Sequence, residues 1–529
     1  MSYRIASPGL HIHGINKMRG ASVRASVCVC SLQLGLAKRP QSRALDCIAM
    51  AVSCCCPDQG LFLLLLLLAA AAGAVSSGGS SDVQLNVEAL LHVGSPCLTP
   101  QEHKHGAATG TRMPIVHQHG KAPSHEEILA ADQRRVEYIH RRVTETTTTT
   151  GHQVRRPKLQ PEPTSLSSSA ASANVPASSG DAVGTGNYVV PIGLGTPGER
   201  LTVVFDTGSD TTWVQCQPCV GSCYRQKEPL FSPAKSSTYA NISCSSPYCS
   251  DLDNSGCSGG HCLYAVRYGD GSTTVGFYAH DTLTLASDAV KEFRFGCGEN
   301  NRGLFGQAAG LMGLGRGKTS LTAQARDKYG GVFSYCLPAT PSGTGFLDLG
   351  QAGSPAANAR LTPMLTDMGP TFYYVGLTGI KVDGRALSIP GSVFSDAGAL
   401  VDSGTVITRL PPKAYGPLRS AFAKAMDSLG YKKAPATSFL DTCYDLTKGG
   451  GGQGGKALPA VSLAFQGGAS LDVDKSGILY MVDESRACLA FAPNDGDTDM
   501  AIVGNTQQKT YGVLYDLGKK VVGFAPGAC

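Results

Sequence analysis

The feature that most constrains this chain of 529 residues is an internal repeat. The first copy, VVFDTGSD at 203–210, is followed by AGLMG at 309–313. The second copy, ALVDSGTV at 399–406, is followed by AIVG at 501–504. One Asp-Thr-Gly tripeptide is common and carries little information. Two copies with matching partners, in the same order and at similar spacing, predict two homologous lobes related by an approximate two-fold axis.

Each repeat places an aspartate, Asp206 or Asp402, where an apolar run meets a glycine turn. The glycines permit a tight turn, and the neighbouring hydroxyls can hold the carboxylates in place. Two adjacent buried carboxylates share one proton, so one acts as a base toward water and the other as an acid. The sequence therefore predicts a pair of catalytic carboxylates. The residues expected to support the turns are Thr207, Gly208, Ser209, Ser403, Gly404 and Thr405.

Short β-rich segments separated by Gly-containing turns fill the chain from residue 186 onward. A helix is predicted at 413–429, and a shorter one at 318–328. The fold class is therefore all-β with a few short helices. The clearest β-rich segments are 187–197, 200–210, 277–285 and 372–384.

The front of the chain has a different character. The apolar run LFLLLLLLAAAAGAVS at 61–76 is short for a membrane span and ends in small residues, which is typical of a signal peptide. We interpret 50–74 as the signal peptide and 1–49 as an extension of doubtful status. Residues 75–180 are expected to form a pro-segment and a Ser/Ala/Pro-rich linker, followed by lobes at 181–366 and 367–529.

Within the predicted pro-segment, HEEILAADQRRVEYIHRRV at 125–143 has apolar residues at helical spacing and several basic residues. We expect an amphipathic helix there, either simply solvated or pairing with the rest of the protein. Residues 1–180 hold 17 Lys and Arg against 11 Asp and Glu, whereas residues 181–529 hold 28 against 29. The later part therefore has no overall electrostatic reason to bind nucleic acid.

Other chemistries fit the sequence poorly. Only His261 and His280 occur after residue 152, which leaves little choice of base for a Ser or Cys nucleophile. Cys216-x-x-Cys219 has zinc-ligand spacing, but no second Cys pair or nearby His pair completes a zinc site. We therefore expect no metal and no cofactor. Twelve cysteines from Cys216 onward instead favour disulfides and an oxidising compartment.

From about residue 186 to 529 the chain resembles the pepsin-like aspartic proteases, specifically the plant nepenthesin-like branch. The pro-segment resembles that of the subgroup containing a chloroplast nucleoid DNA-binding protease. The motifs that carry the resemblance are VFDTGS at 204–209, WVQC at 213–216, YGDGS at 268–272, GLGR at 313–316, VDSGT at 401–405 and IVGN at 502–505.

The resemblance implies a bilobal fold of two six-stranded β-barrel lobes with a cleft between them, and Asp206 and Asp402 as catalytic residues. It implies that Tyr268, with Gly269 and Asp270, forms a flap over the substrate and that Trp213 lies behind it. It also implies a zymogen whose basic pro-segment neutralises the acidic cleft until acidification. The expected partners are peptide substrates and the chain's own pro-segment, and a monomer is expected.

The resemblance also implies a set of disulfide pairings, which sequence alone does not determine. Asn241-Ile242-Ser243 is an acceptor sequence for N-glycosylation at Asn241. The implied disulfides are Cys216–Cys219, Cys223–Cys297, Cys244–Cys262, Cys249–Cys257, Cys336–Cys529 and Cys443–Cys488.

We expect an aspartic endopeptidase in the secretory pathway, most simply extracellular, with vacuole and chloroplast as alternatives. One functional alternative is a catalytically inactive binding or inhibitor protein on the same scaffold. Another is a protease with additional DNA binding, suggested by the chloroplast relative.

Overall fold

The computed structural model describes residues 124–150, 171–350, 358–366, 368–395, 398–447 and 458–529. All of these ranges belong to the unit formed by Ala108–Cys529. The predicted N-terminal extension and signal peptide lie outside the described residues. Within these ranges no helix is both long and apolar enough to cross a membrane.

Strands dominate the described structure, which confirms the predicted all-β class. The first twelve strands are β1 (Ala173–Ser179), β2 (Tyr188–Leu194), β3 (Glu199–Asp206), β4 (Trp213–Gln215), β5 (Ala240–Asn241), β6 (Ser255–Ser258), β7 (His261–Arg267), β8 (Thr273–Leu285), β9 (Asp288–Arg302), β10 (Gly310–Gly313), β11 (Val332–Cys336) and β12 (Gly345–Leu349).

The second half continues the pattern with shorter strands. These are β13 (Arg360–Leu365), β14 (Tyr374–Val375), β15 (Leu377–Val382), β16 (Arg385–Ala386), β17 (Ala399–Val401), β18 (Thr408–Leu410), β19 (Lys432–Ala434), β20 (Cys443–Asp445), β21 (Val461–Phe465), β22 (Ser470–Asp472), β23 (Leu479–Met481), β24 (Arg486–Leu489), β25 (Phe491–Pro493), β26 (Ala501–Val503), β27 (Gly512–Asp516) and β28 (Val521–Ala525).

Two helices are long, and the others are single turns. The helix Pro412–Ser428 matches the prediction at 413–429, while the predicted helix at 318–328 is two short helices, Leu321–Gln324 and Arg326–Tyr329. The remaining α-helices of the described residues are His125–Thr150, Pro247–Ser250, Ser392–Ser395 and Lys475–Ile478, and the 3-10 turns are Gly180–Val183, Pro233–Lys235, Gln466–Gly468 and Asn505–Gln508.

The sequence repeat is a structural repeat. In the first copy β3, which ends at Asp206, pairs in parallel with β10 so that Gly313 lies beside Asp206. In the second copy β17, which ends one residue before Asp402, pairs in parallel with β26. β10 then pairs antiparallel with β4, as β26 does with β18. The hydrophobic-Gly element of each copy is therefore the strand that supports its aspartate turn.

An antiparallel sheet connects the two copies. Its strand order is β1-β12-β11-β27-β28-β13, with β11 and β27 paired at the centre. The first three strands precede residue 350 and the last three follow it. β1 also pairs with β2, and β13 with β14, so each copy begins with a strand that leads into its own lobe.

Strand β1 corrects the predicted linker. The Ser/Ala/Pro-rich composition suggested an unpacked segment before residue 181, but Val175 and Ala177 are fully buried. Small residues are suited to this place because β1 lies between β12 and β2. Both β1 and β13 therefore belong to the fold, although they precede the expected lobe starts at 181 and 367.

The helix His125–Thr150, which we call the cleft helix, extends the predicted 125–143 by seven residues into the threonine run. It starts with a capping box, in which the Glu127 amide donates to Ser124 Oγ and the Ser124 amide donates to the Glu127 carboxylate. Of the apolar residues predicted to form one face, Leu129, Val136 and Ile139 are buried. The helix therefore pairs with the protein body rather than lying solvated.

Four of the implied disulfides are wrong. Cys216 is bonded to Cys297. The strands β4 and β9 pair in parallel, and this brings the Cα atoms of the two cysteines to 5.3 Å from each other. Cys219 is left to pair with Cys223 in an exposed loop, replacing Cys216–Cys219 and Cys223–Cys297.

The other two corrections concern the hairpin of β6 and β7. Cys257 and Cys262 face each other across this hairpin and bond outward to different partners. The pairs are Cys244–Cys257 and Cys249–Cys262, rather than Cys244–Cys262 and Cys249–Cys257. Cys336–Cys529 and Cys443–Cys488 are bonded as the resemblance implied.

The Cys336–Cys529 bridge joins residues 193 apart and ties the chain end to β11. A disulfide that closes a long loop restricts the unfolded chain most, so removing this bridge should lower the free energy of unfolding by about 2–4 kcal/mol. We predict that replacing both cysteines with serine lowers the Tm by roughly 3–5 °C in calorimetry. The matched control replaces Cys219 and Cys223, which lie only 4 residues apart. An equal or larger decrease in the control would contradict this ranking.

Candidate active site

The two aspartate turns face each other with the same geometry. Neither Asp206 nor Asp402 has exposed surface. The amide of Gly208 donates to Asp206 Oδ1 at 2.9 Å, and the amide of Gly404 donates to Asp402 Oδ1 at 3.1 Å. Each turn thus bends a glycine N–H back onto its own carboxylate, and this hydrogen bond fixes the orientation of the carboxylate.

The turns also exchange hydrogen bonds across the lobes. The Thr207 amide donates to Ser403 Oγ at 3.1 Å, and the Ser403 amide donates to Thr207 Oγ1 at 2.9 Å. All four groups are buried, so breaking either contact would leave a backbone N–H without a partner. This reciprocal pair holds the two carboxylates at a constant separation.

The surroundings of the two carboxylates differ. Thr405 donates its hydroxyl to Asp402 Oδ2, whereas the corresponding hydroxyl, Ser209 Oγ, is buried and has no hydrogen-bond partner among the described residues. Burial raises the pKa of Asp402, the attraction of Arg135 opposes this, and the nearby Asp206 raises it again. The two acids of the pair are therefore not equivalent.

The predicted flap is the tip of the β7–β8 hairpin. The Tyr268 amide donates to Ser272 O, and Asp270 accepts from the Ser272 amide and hydroxyl. The fully buried Trp213 donates its indole N–H to the Tyr268 hydroxyl at 2.7 Å. Tyr268, Asp270 and Trp213 are thus brought together beside the dyad, and burial raises the pKa of the Tyr268 phenol.

Arg135 of the cleft helix lies between the two aspartates. Its Nη2 donates to Asp206 Oδ1 at 2.7 Å and to Asp402 Oδ2 at 3.0 Å, while its Nε donates to Asp402 Oδ2 at 3.0 Å. Burial acts to lower the pKa of Arg135, but the two aspartates outweigh it and raise that pKa. The guanidinium of Arg135 therefore occupies the space between the two carboxylates.

The cleft helix contacts both sides of the cleft. Arg134 donates to the carbonyl of Asp270 at the flap tip, and a Cβ added at Gly269 would lie 2.2 Å from that of Tyr138. On the other side Val136 and Ile139 pack against apolar residues of the second lobe. Cavities of about 420 and 710 Å³ remain beside the helix, and Arg135 and Tyr268 line both.

A second ion pair anchors the same helix one turn earlier. Asp132 binds Arg409 Nη2 at 2.9 Å, and neither side chain is more than 1% exposed. Asp132 also accepts from the amides of Val406 at 2.6 Å and Ile407 at 3.2 Å. The helix is therefore held by two charge contacts, through the cation Arg135 and through the buried anion Asp132.

Sequence reasoning predicted the helix and a role for its basic residues, but it identified neither Arg135 nor the Asp132–Arg409 pair. One feature of the sequence could have indicated Arg135. It falls at helical spacing from the apolar residue Ile139, so it lies near the apolar face of the helix, where an arginine in contact with solvent is not expected. The sequon residue Asn241 lies on the short strand β5, partly exposed, and its side-chain oxygen accepts from Tyr239.

The comparisons with known proteins agree with this geometry. Family models described as the xylanase inhibitor N-terminal and C-terminal domains match residues 188–351 and 372–526. An aspartyl protease family protein of Arabidopsis thaliana is 46% identical over 81% of this chain and 86% of its own length. Aspartyl protease AED1 of the same plant is 43% identical, covering 84% and 92%, respectively. Nepenthesin-2 of Nepenthes gracilis is 37% identical, covering 65% and 78%.

Solved structures share the fold at lower identity. The crystal structure of edgp superposes with a TM-score of 0.55 at 20% identity, covering 68% of this chain and 96% of that one. Soybean basic 7S globulin gives a TM-score of 0.54, covering 68% and 97%. A bilobal all-β fold with two aspartate turns defines the class of pepsin-like aspartic proteases. The chain belongs to this family, among its plant members, which confirms the predicted family and fold class.

The hydroxyl exchange between the lobes gives a stability prediction. Ser403→Ala removes the acceptor of the buried Thr207 N–H, so we expect the free energy of unfolding to fall by about 1–3 kcal/mol. Ser209→Ala is the matched control, because it removes a buried hydroxyl that has no partner and should cost little or nothing. Thermal unfolding of both variants measures the difference; equal destabilisation would argue against the exchange as a structural contact.

Proposed function

We propose that this protein is an aspartic endopeptidase that uses Asp206 and Asp402 to activate water, and that it is made as a latent zymogen. The relatives named aspartyl proteases support an aspartic peptidase function. The observation that supports the specific pair of acids and the latent zymogen is the guanidinium of Arg135, which is hydrogen-bonded to both buried carboxylates at once.

The proposed chemistry requires the cleft helix to leave. The two carboxylates then face a cleft open to water and share one proton, since two adjacent buried charges repel. The ionised carboxylate draws a proton from water, which attacks the peptide carbonyl while the protonated carboxyl donates to the carbonyl oxygen. The resulting gem-diol collapses as the amide nitrogen is protonated and leaves. Tyr268 and the flap close over the peptide, and Trp213 fixes the phenol.

In the latent state Arg135 blocks both steps. Its donors occupy the carboxylate oxygens that would hold water, and its positive charge acts to lower the pKa of Asp402 against the effect of burial. The helix lies between the flap and the second lobe and contacts both. The proposal thus assigns the cleft helix as the inhibitory part of the pro-segment.

The charge pattern also sets the direction of a pH response. In the helix-bound state burial raises the pKa of Asp402, Arg135 acts to lower it, and Asp206 raises it again. On the proposal, release removes the guanidinium and leaves Asp402 beside Asp206, so the released pair takes up a proton more readily than the bound pair. By linkage, release then becomes more favourable as the pH falls through the pKa of Asp402 in the released pair.

The catalytic assignment is tested by Asp206→Asn and Asp402→Asn. Each change removes a group that must gain and lose a proton, so we expect cleavage of denatured globin at acidic pH to fall by at least about 10³-fold. The control is Asp210→Asn, an adjacent aspartate that accepts from Thr371 and Gly317 instead. Undiminished cleavage by either dyad variant would refute the assignment.

The latency assignment is tested by Arg135→Gln. Without the guanidinium, the helix loses its contacts with both acids. We expect the full-length variant to bind the transition-state analogue pepstatin near pH 6.5, where the wild type binds at least about tenfold more weakly. Calorimetric titration measures both affinities across pH.

Wild-type affinity should rise as the pH falls toward 4, and the variant should show a smaller rise. Arg141→Gln serves as the control, since Arg141 lies on the exposed side of the same helix. Equal pepstatin affinity of wild type and Arg135→Gln at every pH would refute the latch.

A second candidate function follows from the family-model descriptions, which name a xylanase inhibitor. A catalytically inactive inhibitor protein on this scaffold would bind a glycosidase and cleave no peptide. Both aspartate turns are intact here, and this favours the peptidase. Acid-activated protein that cleaves no denatured substrate but inhibits a xylanase would reverse the choice.

The proposal places the protein in the secretory pathway as a monomer, most simply extracellular, with vacuole and chloroplast as alternatives. Six disulfides in the described chain support an oxidising compartment. DNA binding by the mature form is the weaker idea, because residues 181–529 carry a net charge near zero.

A further inference from the structure

Arg409 is a buried cation in the wall of the cleft. It lies on β18, which runs antiparallel to β26 and parallel to β25 in the second lobe. Its side chain has no exposed surface, and its guanidinium lies 3.6 Å from the ring centroid of Phe439. A stacked, planar cation of this kind is well placed to bind a carboxylate with two donors.

The hydrogen-bond partners of Arg409 both belong to the cleft helix. Nη2 donates to Asp132 and Nη1 donates to Gln133 Oε1 at 3.0 Å. Its Nε is buried and has no hydrogen-bond partner among the described residues. Asp495 of the second lobe attracts this charge but forms no ion pair with it in the described chain. When the helix leaves, the cation therefore loses every hydrogen bond described for it.

Asp132 shows what the vacated site binds. Its carboxylate is held by one guanidinium and by the amides of Val406 and Ile407. All three donors belong to the protease body, and only the carboxylate comes from the helix. When the helix leaves, water must replace the carboxylate that the guanidinium and the two N–H groups share, and because hydrogen bonds to an ionised acceptor are the stronger ones, the site favours another carboxylate.

We propose that Val406, Ile407 and Arg409 form a substrate subsite for an acidic side chain, with Asp or Glu of the peptide taking the place of Asp132. This inference rests on the proposed peptidase function. Asp132 and Arg135 are three residues apart, about 4.5 Å along a helix axis. An extended peptide advances about 3.3 Å per residue, so the preferred acid lies one or two residues from the scissile bond, on one side only.

The test uses full-length protein activated by acid and then assayed at about pH 5, where most glutamate side chains are ionised. Peptides in matched pairs carry Glu or Gln at one position each along both sides of the scissile bond. The readout is the ratio of kcat/KM for Glu over Gln within each enzyme, so a change in overall activity does not matter. We expect a ratio of roughly tenfold or more at one position for the wild type.

Variants then assign that preference to Arg409. The ratio should fall to about one in Arg409→Gln and below one in Arg409→Glu. Arg419→Gln is the matched control, because Arg419 forms a surface ion pair with Asp441 in the same lobe. The control should keep the wild-type ratio.

A measurement on the wild type alone covers the outcome that the Arg409 variants do not fold. Its Glu preference should shrink between pH 5 and pH 3 as the substrate carboxyl is protonated. Cleavage with a ratio near one at every position, or a preference kept in Arg409→Gln, would overturn the subsite while leaving the peptidase function intact. Absence of any cleavage by activated wild type would instead count against the proposed function itself.

Discussion

The burial of two carboxylates side by side is the constraint on which the rest of this structure depends. Each acid needs donors to offset its loss of water, and both must stay close although they come from different lobes. The glycine amides supply the first requirement and the Thr207–Ser403 exchange the second. Arg135 adds one positive charge that both carboxylates share.

Much of this could be predicted because it is local or repeated. The turns, the strand before each aspartate and the distant hydrophobic-Gly element occur twice in the sequence, and their pairing follows from that symmetry. The helices at 125–143 and 413–429 have clear periodicity. The errors concern the linker inferred from composition and the disulfides implied by the resemblance, because both depend on which strands are neighbours. Strand β1 looks like a linker until its neighbours β12 and β2 are known, and Cys216 meets Cys297 only because β4 and β9 are adjacent.

The charged contacts of the helix could not be predicted for a different reason. Arg135 is one of several arginines on this helix, and the sequence does not distinguish it from the others. Arg134 contacts the flap, Arg141 is exposed to solvent, and Arg142 contacts the surface residue Asp253. Periodicity gives the apolar face of a helix but not the surface against which it lies. Arg409 likewise resembles any arginine in a strand until its burial and its carboxylate partner are seen together.

The position of β1 has a consequence for how activation ends. Because β1 is built into the sheet between the lobes, the cleft helix remains covalently joined to that sheet through residues 151–170. On the proposed zymogen function, a helix that left the cleft while still covalently joined would rebind as an intramolecular event when conditions reverse. A cut within residues 151–170 turns rebinding into an encounter between two molecules, which dilution suppresses. Acid would thus open the cleft reversibly, and proteolysis of this segment would make the change permanent.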